Sequence, residues 1–537
     1  MKQDFLNEIN QDSFEFVGVK EKEAVFGTKP IGFYRDVFKR FFKRKTAIVA
    51  LSIIGLLLIY SLIMPLFYPF DATMAEPDYR FAKPRNFLSN GSYSKTIGLN
   101  EFDLLRSIGI SVLDVDGEYG KELITWEQAD SSDFQPILKS EDTVLEGFGE
   151  SSHQNGKKVR IDSYLEVGFV YKTISTDEYL QILEWEQNNG KNVIYPMVDR
   201  YSWFFDDFQN DFRQRPPEYT QNANYWFEIS SWSRTPVKFD DDSLQANYLV
   251  FNQDEQSISD KDKIIHNALN GSIPNKGDIL KYQISDNNVT VRVLSYNYFI
   301  YRNGTVPAFW MGLNDQGQDI FTRLASGLRM SLLLAFLVAI ISMVLGVLVG
   351  AVCGFYGGTV DLIVNRVQDV LVGVPTIVVV SLIYLHFVLT GKIPIFVGLI
   401  LGFVLFAWVG YARLVRTQFF RFKQQEYVLA SKTLGAKNKR LMFKHIFPNT
   451  LGTLITQFAL AIPVTILMEV VLYFLNILQL GNGGATLGIL INEGAVAMSS
   501  QPHIIFWPVA VFALIMLSFN MLGNSLRDAF DPNQRGK

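Results

Sequence analysis

Residues that could catalyse a reaction or bind a metal are few in this sequence and are scattered along it. The sequence has no GxxxxGK followed by Ser or Thr, no HExxH and no CxxC. Its histidines lack ligand spacing and are His153, His266, His386, His445 and His503. The sequence therefore predicts no catalytic residue, no metal site and no directly bound cofactor. A Ser/His/Asp site assembled from distant residues stays open, and it would make the chain an extracytoplasmic enzyme.

Glu469 is an ionisable residue inside a strongly apolar stretch. A carboxylate costs several kcal/mol near the centre of the hydrocarbon, so it should face protein or water. A position near the outer end of its span would soften that cost. Two roles fit, a place on a translocation pathway or a hydrogen bond that clamps two helices together.

A short basic segment, residues 426–449, lies between two stretches that are apolar enough to cross a bilayer. Good helix formers run from Glu426 to Leu434, and Gly435 suits a left-handed helix end. Helical periodicity then resumes, and Pro448 is expected to end it. The pattern predicts two short helices that meet at a glycine elbow.

The first of these helices has more apolar side chains than it can bury. Val428, Leu429 and Leu434 cannot all be hidden within so short a helix, which indicates that a partner surface covers some of them. The alternative is a helix lying on lipid headgroups, attracted by basic side chains. These are Lys437, Lys439, Arg440 and Lys444.

The elements that position these residues are six apolar segments. Hydrophobic residues make up 48% of the 537 residues and are bunched rather than spread. Each segment has about 20 largely uncharged residues, enough for a helix to cross roughly 30 Å of hydrocarbon. The segments are 46–67, 330–352, 370–389, 393–411, 451–475 and 504–522. Buried core helices are the alternative, and runs of this length disfavour it.

The distribution of Lys and Arg predicts the orientation of these spans. The stretch FYRDVFKRFFKRK, just before the first span, contains six basic residues, namely Arg35, Lys39, Arg40, Lys43, Arg44 and Lys45. The segment 411–447 has about nine more against one acid, Glu426, so both regions should be cytoplasmic. Six crossings then return both termini to the cytoplasm. Residues from about 71 to 310 are expected outside.

The block predicted to be external is acidic and folded. It has about 37 acidic and about 23 basic side chains, which disfavours nucleic acid as a partner. Alternating stretches such as KVRIDSYLEVGFVYKTI and ILKYQISDNNVTVRVLSYNYFIY indicate an α+β domain. Cys353 is the only cysteine of the sequence, so no intrachain disulfide can brace this domain.

Small residues and prolines interrupt the apolar segments. Gly346, Gly350 and Gly354 recur every four residues, so they share one helix face that another backbone could approach closely. Simple tight packing explains them as well. Pro375 and Pro463 each free a backbone carbonyl that a lipid-facing helix could not easily satisfy, and we expect their helices to line a bundle interior.

The stretch YVLASKTLGAKNKRLMFKHIFPN resembles the signature loop of membrane permeases in ABC importers, which reads EAA, three residues, Gly, nine residues, Ile, one residue, Leu-Pro. Aligned on Gly435 and Pro448, EAA falls on Leu429, Ala430 and Ser431, so the acidic residue is missing. In that family the loop forms a coupling helix seated in a cleft of the ATPase subunit. The resemblance implies ATPase-coupling roles for Glu426, Leu429, Ala430, Ser431, Leu434, Gly435, Ala436 and Pro448.

Other motifs narrow the resemblance to the C-type permease subunit of oligopeptide and dipeptide importers. GLNDQGQDIFTRLASGLRMSL resembles GTDxxGRDxxSRLxxGxRxSL, with Gln318 in place of the usual Arg. GFYGGTVDLIVNRVQDVLVGVP resembles GYFGGWxDxxxMRxxDxxxxxP. ILMEVVLYFLNILQLG resembles ILxEAxLSFLGLG, and LGNSLRDAFDP resembles LGDxLRDxLDP. The similarity covers about 35–67 and 308–537, and it leaves 71–305 as a large insertion.

The resemblance implies an α-helical polytopic membrane protein with six transmembrane helices, a type I ABC importer permease core, and an α+β extracellular domain inserted between helices 1 and 2. The expected parts are a cytoplasmic segment 1–45, helix 1 at 46–68, the inserted domain 71–305, a core 308–530 with the coupling loop 412–449, and a cytoplasmic tail 531–537. The expected location is the bacterial plasma membrane.

The implied function is passage of oligopeptides through a pore half that is not itself an enzyme. The implied partners are a second homologous permease, two ATPase subunits that bind ATP and Mg, an extracellular peptide-binding protein and membrane lipid, without nucleic acid. Dipeptides and nickel chelates stay open as substrates. A membrane-anchored receptor is the alternative of another class. The insertion is expected to dock the binding protein or roof the entrance, and an inert cap is its alternative.

Overall fold

In a computed structural model of the chain, the described residues are 33–86, 91–98, 137–146, 153–165, 167, 169–197, 227–230, 233–236, 251–253, 257–286, 288–478 and 484–530. The predicted tail 531–537 and most of the predicted segment 1–45 lie outside them.

Two helices begin the described chain. Helix α1 (Phe33–Lys43) and helix α2 (Lys45–Phe67) are separated only by Arg44. The 23 residues of α2 are apolar enough to cross a membrane, and they coincide with the first predicted span. The α1 side chains Val37 and Phe41 are buried against residues near the end of the chain.

Small antiparallel sheets and short helices follow α2. Their bounds are β1 (Ser92–Gly98), β2 (Ile137–Glu146), β3 (His153–Asp162), β4 (Phe169–Ser175), α3 (Thr176–Asn189), β5 (Ile194–Tyr195), β6 (Phe227–Ser230), β7 (Ser233–Pro236), α4 (Asp260–Asn270), β8 (Tyr282–Ser285), β9 (Asn288–Leu294) and α5 (Ser295–Asn303). We call residues 71–305 the inserted region. Its described parts contain both strands and helices.

A four-stranded antiparallel sheet forms the core of the inserted region. Strand β9 is central, with β4 on one side and β5 and β8 on the other. Val289, Val291 and Val293 of β9 are fully buried, because the alternate residues of a strand point to one face. Ile182 of α3 and Leu269 of α4 pack against that face. Strands β1, β3 and β2 pair in a second sheet, and β6 pairs with β7.

The remaining helices form the membrane part. They are α6 (Ile320–Tyr356), α7 (Gly358–Val372), α8 (Thr376–Ile383), α9 (Ile395–Lys423), α10 (Glu426–Thr433), α11 (Asn438–Arg440), α12 (Phe447–Phe474), α13 (Leu487–Val496) and α14 (Pro502–Phe530). Their main core joins Leu328 of α6, Ile466 of α12, Leu490 of α13 and Ile515 of α14. Residues of α2 pack on its edge.

Five helices of the described chain are long and apolar enough to cross a membrane, and a sixth crossing depends on a bent pair. The span predicted at 370–389 overlaps this bent pair. Residues up to Val372 belong to α7, and α8 begins at Thr376 after a bend of 76°. Pro375 explains the break, because proline lacks the N–H that would continue the hydrogen-bond ladder of α7.

Pro448 does not end a helix, contrary to the sequence-based expectation. Residues 438–474 form one helical run, in which a π-helical turn at Leu441–Ile446 directly precedes α12. Pro448 occupies one of the first two positions of α12. The π-helical turn just before Pro448 already departs from regular i→i−4 bonding, so the run accommodates a residue without an N–H.

The base of the inserted region is pressed onto the loop that leads into α6. Glu76 donates its backbone N–H to Gly317 O at 2.8 Å, and Leu313 donates its own to Ala82 O at 3.1 Å. A Cβ on Gly317 would lie 2.0 Å from Glu76 O. An aromatic cluster that includes Tyr164 and Phe309 fills the space beside these contacts. The inserted region and the membrane part therefore share a packed junction.

Candidate functional site

The glycine elbow of the basic segment is a helix C-cap of the Schellman type. Gly435 has φ +81° and donates its N–H to Lys432 O at 3.0 Å. Ala436 donates its N–H to Ser431 O at 3.1 Å. These two bonds satisfy carbonyls at the end of α10, and the left-handed backbone at Gly435 suits a residue without Cβ. The sequence-based prediction of a left-handed end at Gly435 agrees with this geometry.

One apolar side chain of α10 fixes the element to the membrane part. Val428 is 2% exposed and packs in a cluster with Phe419 of α9. Leu441 and Ile446 of the π-helical turn complete the contact. The two arms of the elbow and the end of α9 thus share one core, so α10 should move with them as a rigid unit.

A polar contact joins the same two arms. Asn449 Nδ2 donates to Tyr427 Oη at 3.0 Å and to His445 O at 2.8 Å. Burial raises the pKa of the Tyr427 phenol, so the hydroxyl stays neutral at physiological pH. The contacts of Asn449 join α10 to the start of α12.

The outer surface of the element combines exposed apolar side chains with basic ones. Leu429 is 49% exposed and Leu434 is 88% exposed. Ala430 and Gly435 are also exposed. The neighbouring basic residues are exposed as well, namely Lys432, Lys437, Lys439 and Arg440. We call Leu429, Ala430, Leu434 and Gly435 the exposed face. An apolar surface of this kind on a rigid polar element is typical of a protein contact.

The other residues predicted for coupling border the exposed face. Glu426 begins α10 and is exposed. Ser431, Ala436 and Pro448 are partly buried. The Ser431 hydroxyl donates to Tyr427 O at 2.8 Å, so it is engaged within its own helix. The structure therefore brings the predicted residues together around one elbow.

Glu469 lies among helices rather than at a surface. It is 0% exposed, and Ser331 Oγ of α6 donates to Glu469 Oε1 at 3.0 Å. The backbone N–H of Leu487, at the start of α13, donates to the same Ser331 hydroxyl at 3.1 Å. This geometry joins three helices through one buried polar group. It favours the clamping role over an open pathway in this conformation.

The predicted glycine face of α6 lies directly against α9. A Cβ on Gly346 would lie 2.4 Å from Tyr411 Cβ, and one on Gly350 would lie 2.4 Å from Ala412 O. Only glycine permits so close an approach of the two backbones. Pro463 is buried inside α12, whereas Pro375 is exposed at the bend between α7 and α8. Of the two prolines, only Pro463 thus faces the interior of the chain itself.

Two ion pairs were missed by reasoning from the sequence. Arg323 donates from both terminal nitrogens to Glu493, at 2.6 and 2.8 Å, and ties the start of α6 to α13. Arg416 of α9 donates to both carboxylate oxygens of Asp361 in α7. The partners are 170 and 55 positions apart. The only available signal was the unexplained charge of each residue beside apolar sequence.

Two family models match the chain. One describes the binding-protein-dependent transport system inner membrane component and matches residues 345–536. The other describes the N-terminal TM domain of oligopeptide transport permease C and matches residues 32–84. The matched ranges thus lie on either side of residues 85–344.

Curated relatives show the same similarity. The chain is 38% identical to the oligopeptide transport system permease protein OppC of Bacillus subtilis over 228 residues, 42% of this chain and 72% of that protein. It is 37% identical to the dipeptide transport system permease protein DppC of the same organism, over 42% of this chain and 69% of the relative. For the DppC protein of Lactococcus lactis the identity is 36%, over 43% and 67%.

A solved amino acid ABC transporter also aligns, at 17% identity and a TM-score of 0.31. The alignment covers 38% of this chain and 93% of that one. This likeness is too low to support an argument.

Proposed function

The chain belongs to the oligopeptide and dipeptide permease family of ABC importers, and we propose that the exposed face of the α10 elbow couples it to the ATPases that power transport. It is a permease subunit of a peptide importer in the plasma membrane. The finer proposal is that Leu429, Ala430, Leu434 and Gly435 contact an ATPase subunit. Glu426, Ser431, Ala436 and Pro448 would border that contact.

The combination of rigidity and exposure in α10 supports this proposal. Val428 is buried, so the helix cannot turn over to hide its apolar residues. Leu434 is 88% exposed and lies next to the left-handed Gly435. An apolar side chain in that position gains free energy by entering a pocket of a partner protein. Leu429 would supply an apolar contact where family members usually have a carboxylate.

The transport step would follow from movement of the elbow. When two ATPase subunits bind ATP and Mg and close, they would displace the exposed face, and the shared core around Val428 would pass this motion to α9 and α12. The differential affinity of ATP for two states does the work. This chain would supply no catalytic residue and would bind neither nucleotide nor metal.

We place residues 71–305 outside the cell, with both termini in the cytoplasm. The basic residues before α2 and around α10 support this orientation. The acidic inserted region would then dock a peptide-binding protein or roof the entrance. Deletion of residues 80–300 tests this role, since unchanged uptake and unchanged affinity for the binding protein would leave only an inert cap.

The substrate proposed is an oligopeptide, which would pass between this chain and a second homologous permease. Curated relatives named for oligopeptide and for dipeptide transport support peptides as a class. Nickel chelates stay the alternative substrate class.

Purification of the whole assembly tests the proposal directly. We expect the chain to co-purify with two ATPase subunits and a second permease, and crosslinks should reach the ATPases from Leu434. Ligands eluted from the associated binding protein should be peptides. A crosslinking pattern in which Leu434 contacts no ATPase at any stage of the cycle would contradict the proposed coupling.

A further inference from the structure

Helix α1 presents exposed aromatic and basic side chains that have no role in the proposed transport step. Phe38 and Phe42 lie one turn apart and are 63% and 55% exposed. Beside them runs a second exposed row, also spaced by one turn, which consists of Arg35, Lys39 and Lys43. The helix is therefore amphipathic in an unusual way, with an aromatic pair flanked by three cations.

The opposite face of α1 is already occupied. Val37 and Phe41 are 3% and 6% exposed and pack in a cluster with Ala529 near the end of α14. Arg44, which follows α1, forms an ion pair with Asp528. The helix cannot rotate to hide its aromatic pair, because rotation would expose Val37 and Phe41 instead. The aromatic pair therefore needs cover from outside the described chain.

The position of α1 indicates what that cover is. Only Arg44 separates it from the membrane-crossing helix α2, so Phe38 and Phe42 lie close to the end of a span. Amphipathic helices at this depth insert their apolar side chains between headgroups and acyl chains. Long basic side chains beside them reach the headgroup phosphates.

The charge of the basic row on α1 indicates which lipids bind beside the helix. Within the part of the chain that the structure describes, Arg35, Lys39 and Lys43 form no ion pair. Asp36, the acidic residue of α1, forms an ion pair with Arg40, in which Asp36 Oδ2 lies 3.2 Å from Arg40 Nη2. The row thus presents three uncompensated positive charges to the membrane surface, which favours an anionic headgroup over a zwitterionic one.

We propose that α1 is a binding site for anionic phospholipid. Phe38 and Phe42 enter the boundary of the acyl chains, and Arg35, Lys39 and Lys43 bind the phosphate of the headgroup. This inference goes beyond the transport function and requires only that α2 crosses the membrane. It holds whichever side of the membrane α1 faces.

Photoactivatable lipids test the site in the assembled transporter with the full chain. Phosphatidylglycerol and phosphatidylcholine analogues are reconstituted separately, and labelling of residues 33–45 is quantified. We expect phosphatidylglycerol to label this segment more strongly. The double variant Lys39→Gln, Lys43→Gln should lower that preference by roughly fivefold for each charge removed. Phe38→Ala with Phe42→Ala should lower labelling by both lipids.

Two controls separate the site from a folding defect. Lys261→Gln removes an exposed charge from α4 in the inserted region and should leave the preference unchanged. Lys39→Arg keeps the charge and should retain it. Equal labelling by both lipids in the unmodified chain would overturn the proposal. Capture of an ATPase subunit, or of residues 1–32, by a crosslinker placed at Phe38 would also overturn it, because a protein would then cover α1.

Discussion

The Ser331 hydroxyl donates a hydrogen bond of 3.0 Å to Glu469 Oε1, which joins α6 to α12 within the membrane part. The Leu487 N–H, at the start of α13, donates to the same hydroxyl. The Ser331 hydroxyl thus joins three helices, and the loss of its buried acceptor Glu469 costs free energy.

Glu469→Leu should destabilise the chain by about 1–3 kcal/mol, because it leaves the Ser331 hydroxyl without its buried acceptor. Glu469→Gln keeps an acceptor at the same place and should be better tolerated. Thermal unfolding in detergent measures the difference. If Glu469→Gln instead abolishes peptide uptake while the unfolding temperature stays unchanged, Glu469 acts on the pathway rather than as a clamp.

Gly435→Val should impair coupling, because a β-branched residue is strained at φ +81°. The site has open space, with nothing within 4 Å of an added Cβ, so the effect is conformational rather than steric. Gly435→Asn is the matched control, since Asn tolerates the left-handed region. Peptide uptake and peptide-stimulated ATP hydrolysis should fall in the first variant only. Equal activity in both would argue against a transmitting elbow.

Leu434→Asp should weaken binding of the ATPase subunit by at least about 2 kcal/mol, as for a central interface residue. Its side chain is 88% exposed, so the unfolding temperature of the chain should not change. The control is Val306→Asp, a similar change at a residue that is 50% exposed and far from α10 in sequence. Retention of ATPase subunits during purification is the readout. Loss in both variants would indicate a general defect.

Gly317→Ala should loosen the junction between the inserted region and α6. An added Cβ would lie 2.0 Å from Glu76 O, so one of the two backbones must shift. Gly304→Ala has the same kind of backbone, with φ +67°, but nothing lies within 4 Å of its Cβ. Hydrogen exchange of residues 75–85 should accelerate in the first variant by much more than in the second. Similar exchange in the two would mean that the junction is not tightly packed.

The sequence predicted the parts of this fold that depend on local composition. Apolar segments of span length and the left-handed end at Gly435 follow from the residues themselves, and the structure contains both. The prediction that Pro448 ends a helix was wrong, because the effect of a proline depends on the backbone around it. At Pro375 a new helix starts after a bend, whereas Pro448 follows a π-helical turn within one helical run.

The parts that depend on distant contacts could not be predicted. Val428 and Leu434 are both apolar residues of one short element, yet only Val428 finds a buried place against α9. The role of Glu493 in the short helix α13 could not be predicted from its own segment, because it depends on the ion pair with the distant Arg323. Tertiary packing decides such cases, and one sequence does not reveal which distant residues will meet.

The packed junction holds the inserted region tightly against the loop before α6. Residues 75–85 run directly against residues 309–318, and there is no room for a Cβ at Gly317 or Gly312. A small tilt of α6 would therefore displace the edge of the β9 sheet farthest from the junction by a larger distance than it displaces the junction itself. Fluorescent dyes attached to that edge would therefore report each conformational change of the transporter through the movement of the inserted region.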